Sequence, residues 1–174
     1  MRAFQRTRAL IGCATLIALI SSGLGLQAYA ASFEGECVRV LDGDTVEVMH
    51  EGAPERVRLD GIDCPEKRQP FGQNAKLFTS SLVFNKTVEV TWTKKDRYGR
   101  LIGLVRLPDG RELNQELVRA GYAWWYKKYS ADTRLSRLEQ GARDSKLGLW
   151  SAQGQIIPPW TFRHAKHGSS SSGT

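Results

Sequence analysis

Arg56-Val57-Arg58-Leu59-Asp60-Gly61-Ile62-Asp63-Cys64-Pro65-Glu66 begins as an alternating strand and ends in an acid-rich turn. Successive strand side chains point to opposite sides, so Val57 and Leu59 share one face and Arg56, Arg58 and Asp60 the other. Asp60, Asp63 and Glu66 are spaced three apart, but Gly61 and Pro65 disfavour a helix. The stretch therefore reads as a strand whose Val57, Leu59 and Ile62 enter a core. Asp63 and Glu66 emerge beside Arg58 on the turn at its end, and nothing in the pattern gives Asp60 a role in a site.

Upstream, residues 37–50 alternate apolar and polar on either side of an Asp-Gly, which predicts two strand segments joined by a bend. The Glu51–Pro54 break then returns the chain into the Arg56 strand as a meander. Downstream, Ala75, Phe78, Leu82 and Val83 have helical spacing between Phe71 and Phe84, with Asn85 as a stop. Lys86 to Thr93 alternates again, Leu101 to Leu107 is a short apolar strand, and a helix is predicted from Asn114 to Ala120, ended by Gly121. Asp132 or Thr133 caps a third helix carrying Leu135, Leu138 and Ala142 on one face. The fold class is mainly β with helices (α+β): a five-stranded OB-type barrel with about three helices.

The ends of the chain differ from this core. Arg2, Arg6 and Arg8 precede an apolar run from Ala9 to Leu26, and Ala28-Tyr29-Ala30 supplies small residues for cleavage. Residues 1–30 thus read as a signal peptide, residues 31–152 as the domain and residues 153–174 as a flexible basic tail, with Pro158-Pro159-Trp160 breaking regular structure. The expected location is exported, periplasmic or secreted, without stable membrane association after cleavage. The full chain carries a formal net charge of +7. Loss of residues 1–30 removes three arginines and no acid, leaving 22 basic against 18 acidic residues. A basic surface of this size suits polyanions but is also common on soluble proteins. Export leaves Cys37 and Cys64, either as one disulfide or as separate thiols.

Asp42-Gly43-Asp44-Thr45 places two more carboxylates on the neighbouring arm of the meander. Carboxylates gathered without a His or Cys partner at zinc spacing suit a hard cation with oxygen ligands, Ca²⁺ or Mg²⁺. In Asp96-Arg97-Tyr98-Gly99-Arg100 two arginines flank a turn. An acid cluster for a cation, a glutamate available as a base and separated arginines form a set suited to phosphodiester hydrolysis.

Three ordered segments, Leu41–Val46, Val57–Glu66 and Asp96–Arg100, resemble the staphylococcal-nuclease-like (thermonuclease) family, as do Asn114–Gly121 and Gly148–Ser151. The resemblance runs from about residue 36 to residue 152. It implies an OB-type barrel and an exported Ca²⁺-dependent endonuclease (Mg²⁺ or Mn²⁺ as alternatives) acting on DNA and RNA to leave 3′-phosphate ends. Asp44, Asp63 and the backbone carbonyl of Cys64 are implied as metal ligands, with Asp42 nearby. Arg58 and Arg100 become stabilisers of the phosphate and transition state, and Glu66 the general base. Arg97 and Tyr98 touch a second substrate phosphate. The expected substrate is preferentially single-stranded and the expected state a monomer. Trp124, Trp125, Tyr126 and Tyr129 either stack on unpaired bases or pack on the barrel. A non-catalytic OB-type nucleic-acid-binding module is the rival reading, against which stands the presence of Arg58, Glu66, Arg100 and the aspartates together.

Overall fold

The computed structural model describes residues 31–154 and 156–168, the last three as backbone only. The expected signal peptide lies outside the described residues. Five strands close a barrel in the order β1-β2-β3-β6-β5: β1 (Ala31–Asp42), β2 (Thr45–His50), β3 (Ala53–Leu59), β5 (Thr87–Lys95) and β6 (Leu101–Arg106). Neighbours are antiparallel except β3 and β6, which run parallel, and β1 closes the ring by pairing with β5 from Ala31↔Trp92 to Glu36↔Thr87. The two-residue strands β4 (Ile62–Asp63) and β7 (Trp124–Trp125) form a separate small sheet.

The alternation predicted for the Arg56 strand is present: Val57 and Leu59 are fully buried, while Arg56 is exposed and Arg58 half-buried. Val46, Val48, Val88, Val90, Leu101 and Val105 complete the barrel interior. Burial of each such side chain contributes about 1.5–3 kcal/mol.

Helix α1 (Gly72–Val83) packs Ala75, Thr79 and Val83 inward, and α2 (Leu113–Arg119) buries Leu113, Leu117 and Val118. Helix α3 (Thr133–Asp144) starts at Asp132, whose side chain accepts from the Arg134 N–H, as its sequence predicts. A short 3₁₀ turn follows at Gly148–Ser151.

A fourth helix, α4 (Pro159–Gly168), occupies the region expected to be irregular. Pro159 stands at the first helical position, where its missing N–H costs nothing and its fixed φ is already helical. The Pro158 carbonyl accepts from the N–H groups of Thr161 and Phe162. The two prolines therefore start regular structure here, and the expectation that Pro158-Pro159-Trp160 breaks it is corrected. Among the described residues no helix is long and apolar enough to cross a membrane.

Candidate functional site

The β1–β2 turn, the end of β3, β4 and the β5–β6 turn meet at one end of the barrel around a groove of about 780 Å³. Asp44, Arg58, Asp63, Cys64, Glu66, Arg97, Tyr98 and Arg100, the residues given metal, catalytic and phosphate-contact roles by the resemblance, line it.

Close packing holds the Asp42–Thr45 turn in place. A Cβ on Gly43 would lie 2.8 Å from the Cβ atoms of both Ala75 and Cys64, so only glycine allows α1 and the residue after β4 to approach the turn. The Thr79 hydroxyl on α1 donates to the Gly43 carbonyl at 2.6 Å. Asp44 is thereby aimed at the neighbouring segment, where its Oδ2 accepts from the Cys64 N–H at 2.7 Å.

Arg58 gathers the acids. Its Nη2 lies 3.1 Å from Asp44 Oδ2 and 2.8 Å from Asp63 Oδ1, and its Nη1 donates to the carbonyls of Leu59 and Ile62. One guanidinium thus ties the Leu59–Asp63 turn together and draws both carboxylates to a single nitrogen. Burial alone would weaken its charge, but Asp44 and Asp63 hold its pKa above the ordinary arginine value. Gly61, at φ 74°, makes the turn that brings Asp63 back under Arg58.

Asp63 differs from expectation. It does not emerge at the surface: at 1% exposure it is buried within β4, which pairs with β7 through Asp63↔Trp124. Burial pushes its carboxyl upward, against hydrogen bonds from Arg163 and the attraction of Arg58. Glu66 is the outward carboxylate, half-exposed, on a turn in which its N–H donates to Gln69 Oε1 and its carbonyl accepts the Gln69 N–H. Asp42 sits beside Asp44; burial and the Asp44 charge push its carboxyl up to about 7.

Across the groove, Asp96 organises the β5–β6 turn. Its Oδ1 accepts the Tyr98 and Arg100 N–H groups, and its Oδ2 accepts Arg100 Nε at 2.8 Å. Burial would raise the Asp96 carboxyl, but hydrogen bonds from the Arg100 backbone and side chain and from Tyr98 hold it below the usual range. Arg97 and Tyr98 are exposed beside this turn, with the Arg97 guanidinium 4.8 Å from the Tyr98 ring centre.

The two aromatic readings divide between residues. Trp124 is buried and packs edge-on against Trp150, whereas Tyr126 and the exposed Tyr129 line the groove. Cys37 and Cys64 are separate buried thiols, not a disulfide. Burial raises both, Cys37 to about 11 and Cys64 well above the ordinary thiol value. Neutral sulfur is a poor metal ligand, so only the backbone of Cys64 suits a cation.

Sequence reasoning missed Lys94 and Lys95 on the groove wall, and above all Arg163 of α4. Arg163 Nη2 lies 2.7 Å from Asp63 Oδ2, and its Nη1 donates to Glu66 Oε1 at 2.7 Å and to Asp63 Oδ1 at 3.3 Å. A proline at the start of a helix followed by Trp160 and Arg163 three apart was the available signal.

Among the described residues no three His, Cys, Asp or Glu side chains form a ready cage for a metal. The candidate set instead joins the carboxylates of Asp44 and Asp63 to the Cys64 backbone. Hard oxygens of this kind fit Ca²⁺, Mg²⁺ or Mn²⁺ and not zinc.

The model of the family described as "Staphylococcal nuclease homologue" matches residues 56–152, more than half of the chain. An Escherichia coli protein named "Uncharacterized endonuclease" is 49% identical over 136 residues, covering 78% of this chain and 88% of that protein. "Micrococcal nuclease" of Shigella flexneri is 40% identical over 145 residues, covering 78% of this chain and 83% of that protein. "Protein ParB" of Escherichia coli is 42% identical over 143 residues, covering 76% and 80%. With its closed five-stranded barrel and this extent of similarity, the chain belongs to the staphylococcal nuclease homologue family.

Proposed function

We propose that this nuclease is an exported endonuclease, periplasmic or secreted, that uses Ca²⁺ to cleave DNA and RNA to 3′-phosphate ends. Mg²⁺ or Mn²⁺ are the alternative cations. It acts as a monomer and prefers single strands. The observation that carries this reading is the convergence of Asp44 and Asp63 on one nitrogen of Arg58, in the same groove as Glu66 and Arg100.

Each residue contributes a separable task. Asp44 and Asp63, with the Cys64 carbonyl, would hold the cation, which when bound polarises the phosphate and neutralises its charge. Glu66, on the half-exposed turn, accepts the proton of the attacking water. Arg58 and Arg100 offer planar forks that match phosphoryl oxygens as negative charge grows on them. Asp96 fixes the direction of Arg100, so the fork is already aligned when substrate arrives. Arg97 and Tyr98 lie along the groove where a neighbouring phosphate of the strand passes, and Tyr126 and Tyr129 offer ring faces to unpaired bases.

The assay is release of acid-soluble fragments from single-stranded DNA and from RNA, in Ca²⁺, Mg²⁺ and Mn²⁺ side by side and with chelator. Activity in at least one cation, abolished by chelation and by Arg58→Ala, is expected. Activity indifferent to both would overturn the mechanism, and binding without cleavage in every cation would favour a non-catalytic binding module.

A further inference from the structure

Residues three apart on a helix are neighbours, and in α4 these are Trp160, which packs on the groove residue Tyr126, and Arg163, which lines the groove. The Trp160 ring lies on Tyr126 at 5.1 Å and 7°, a stacked arrangement, and meets Trp124 edge-on. Arg163 spans Asp63 and Glu66. The segment leading into the helix is pinned to the loop after Glu66, where Gln69 Nε2 donates to the Ile157 carbonyl at 3.0 Å.

Each contact uses a group that the proposed reaction needs. Both carboxylate oxygens of Asp63 are engaged: Oδ1 by Arg58 and Arg163, Oδ2 by Arg163. A divalent cation sits about 2.0–2.6 Å from its carboxylate ligands. A guanidinium nitrogen 2.7 Å from Asp63 Oδ2 fills that space and supplies positive charge of its own. Glu66 Oε1 accepts from the same guanidinium at 2.7 Å, so Arg163 occupies the oxygen that would face the attacking water. Trp160 covers a ring face of Tyr126 on which a base would stack.

We propose that α4 is an internal occupant of the site: Arg163 stands in for the divalent cation on Asp63 and covers Glu66, Trp160 stands in for a base on Tyr126, and cation binding displaces the helix. The proposal rests on the cation-dependent reading above. The geometry allows release without opening the barrel. The Arg163 and Glu66 side chains are 39% and 40% exposed, so their pair lies at the rim of the groove, whereas Arg58 at 14% stays rooted beneath it. Occupancy by an internal competitor lowers apparent affinity by the fraction of molecules in the competent state.

The test is calorimetric titration of Ca²⁺ alone, without nucleic acid, into the full chain and into the variants R163Q and R163K, with Mg²⁺ and Mn²⁺ titrated in parallel. R163Q is expected to bind the cation about tenfold more tightly than the wild type, within the range usual for coupled sites, with R163K between them. R163K retains the charge and serves as the folded comparison should R163Q unfold, its expected tightening then being severalfold. Equal or weaker cation binding by the variants overturns the proposal while leaving the cation-dependent nuclease intact. No binding of any of the three cations by wild type or variants overturns the cation reading and the proposal with it.

Discussion

Asn114 Nδ2 donates to the Asp60 carbonyl at 2.8 Å, joining α2 to the end of the strand that carries Arg58. The same amide reaches the Gly103 carbonyl, and its Oδ1 accepts the Val105 N–H at 3.3 Å, so one buried side chain ties the Asp60 turn to β6 through three backbone groups. Asp60 is thus part of the architecture through its main chain, and the residue also lines the groove. Asn114→Ala takes the side-chain partner from the Asp60 carbonyl and the Val105 N–H, while the Gly103 carbonyl keeps the Asp60 N–H, and is expected to cost about 1–3 kcal/mol of stability, measured by urea denaturation. An unchanged midpoint would show that the clamp is not needed.

Gly43 tests the packing beneath the cation ligands. Gly43→Ala places a methyl 2.8 Å from Ala75 and Cys64, pushing the turn that bears Asp44 away from Cys64. The expected result is a loss of about 1–3 kcal/mol and weakened cation binding, read by thermal melting and by calorimetry. A variant with native stability would mean that α1 yields at no cost.

Asp96→Asn addresses Arg100. Because the folded-state pKa of Asp96 is lowered, its stabilisation is fully present above the unfolded carboxylate value near pH 4 and is lost as pH falls through the folded value. The stability difference between wild type and Asp96→Asn is therefore expected to be constant from about pH 5 to 7 and to shrink below about pH 4. Freed from Asp96, Arg100 loses its alignment, and kcat/KM is expected to fall by up to about a hundredfold. A pH-independent stability difference would rule out the linkage.

The thiols provide a probe of the interior. With Cys37 raised to about 11 by burial, and Cys64 also raised, neither is a thiolate at neutral pH. In the folded protein both are expected to resist iodoacetamide and to react on addition of denaturant, as followed by mass spectrometry. Rapid modification of the native protein would show that the interior opens readily.

Much of this architecture was legible in the sequence because it depends on local regularities. The period-two burial of Val57 and Leu59 and the helical spacing of Ala75, Phe78, Leu82 and Val83 require only that apolar side chains face one side. The Asp132 cap of α3 is likewise local. The candidate site was legible because each turn carries its chemistry within a few consecutive residues. The burial of Asp63 was not, since it depends on Trp124 in β7, sixty-one residues away, pairing across it. The separate cysteine thiols were also beyond reach, because bridging depends on a distance between segments that spacing along the chain does not set.

Arg163 marks the boundary between the two kinds of information. By itself, the sequence determined the strand and helix pattern, the acid-rich turn and the paired arginines of the site, because backbone periodicity and turn chemistry act over a few residues. Only the tertiary structure decided that an arginine a hundred residues from Asp63 completes its charge balance. Ion pairing is set by distance in space and by the desolvation around the carboxylate, and neither is written in the order of the residues.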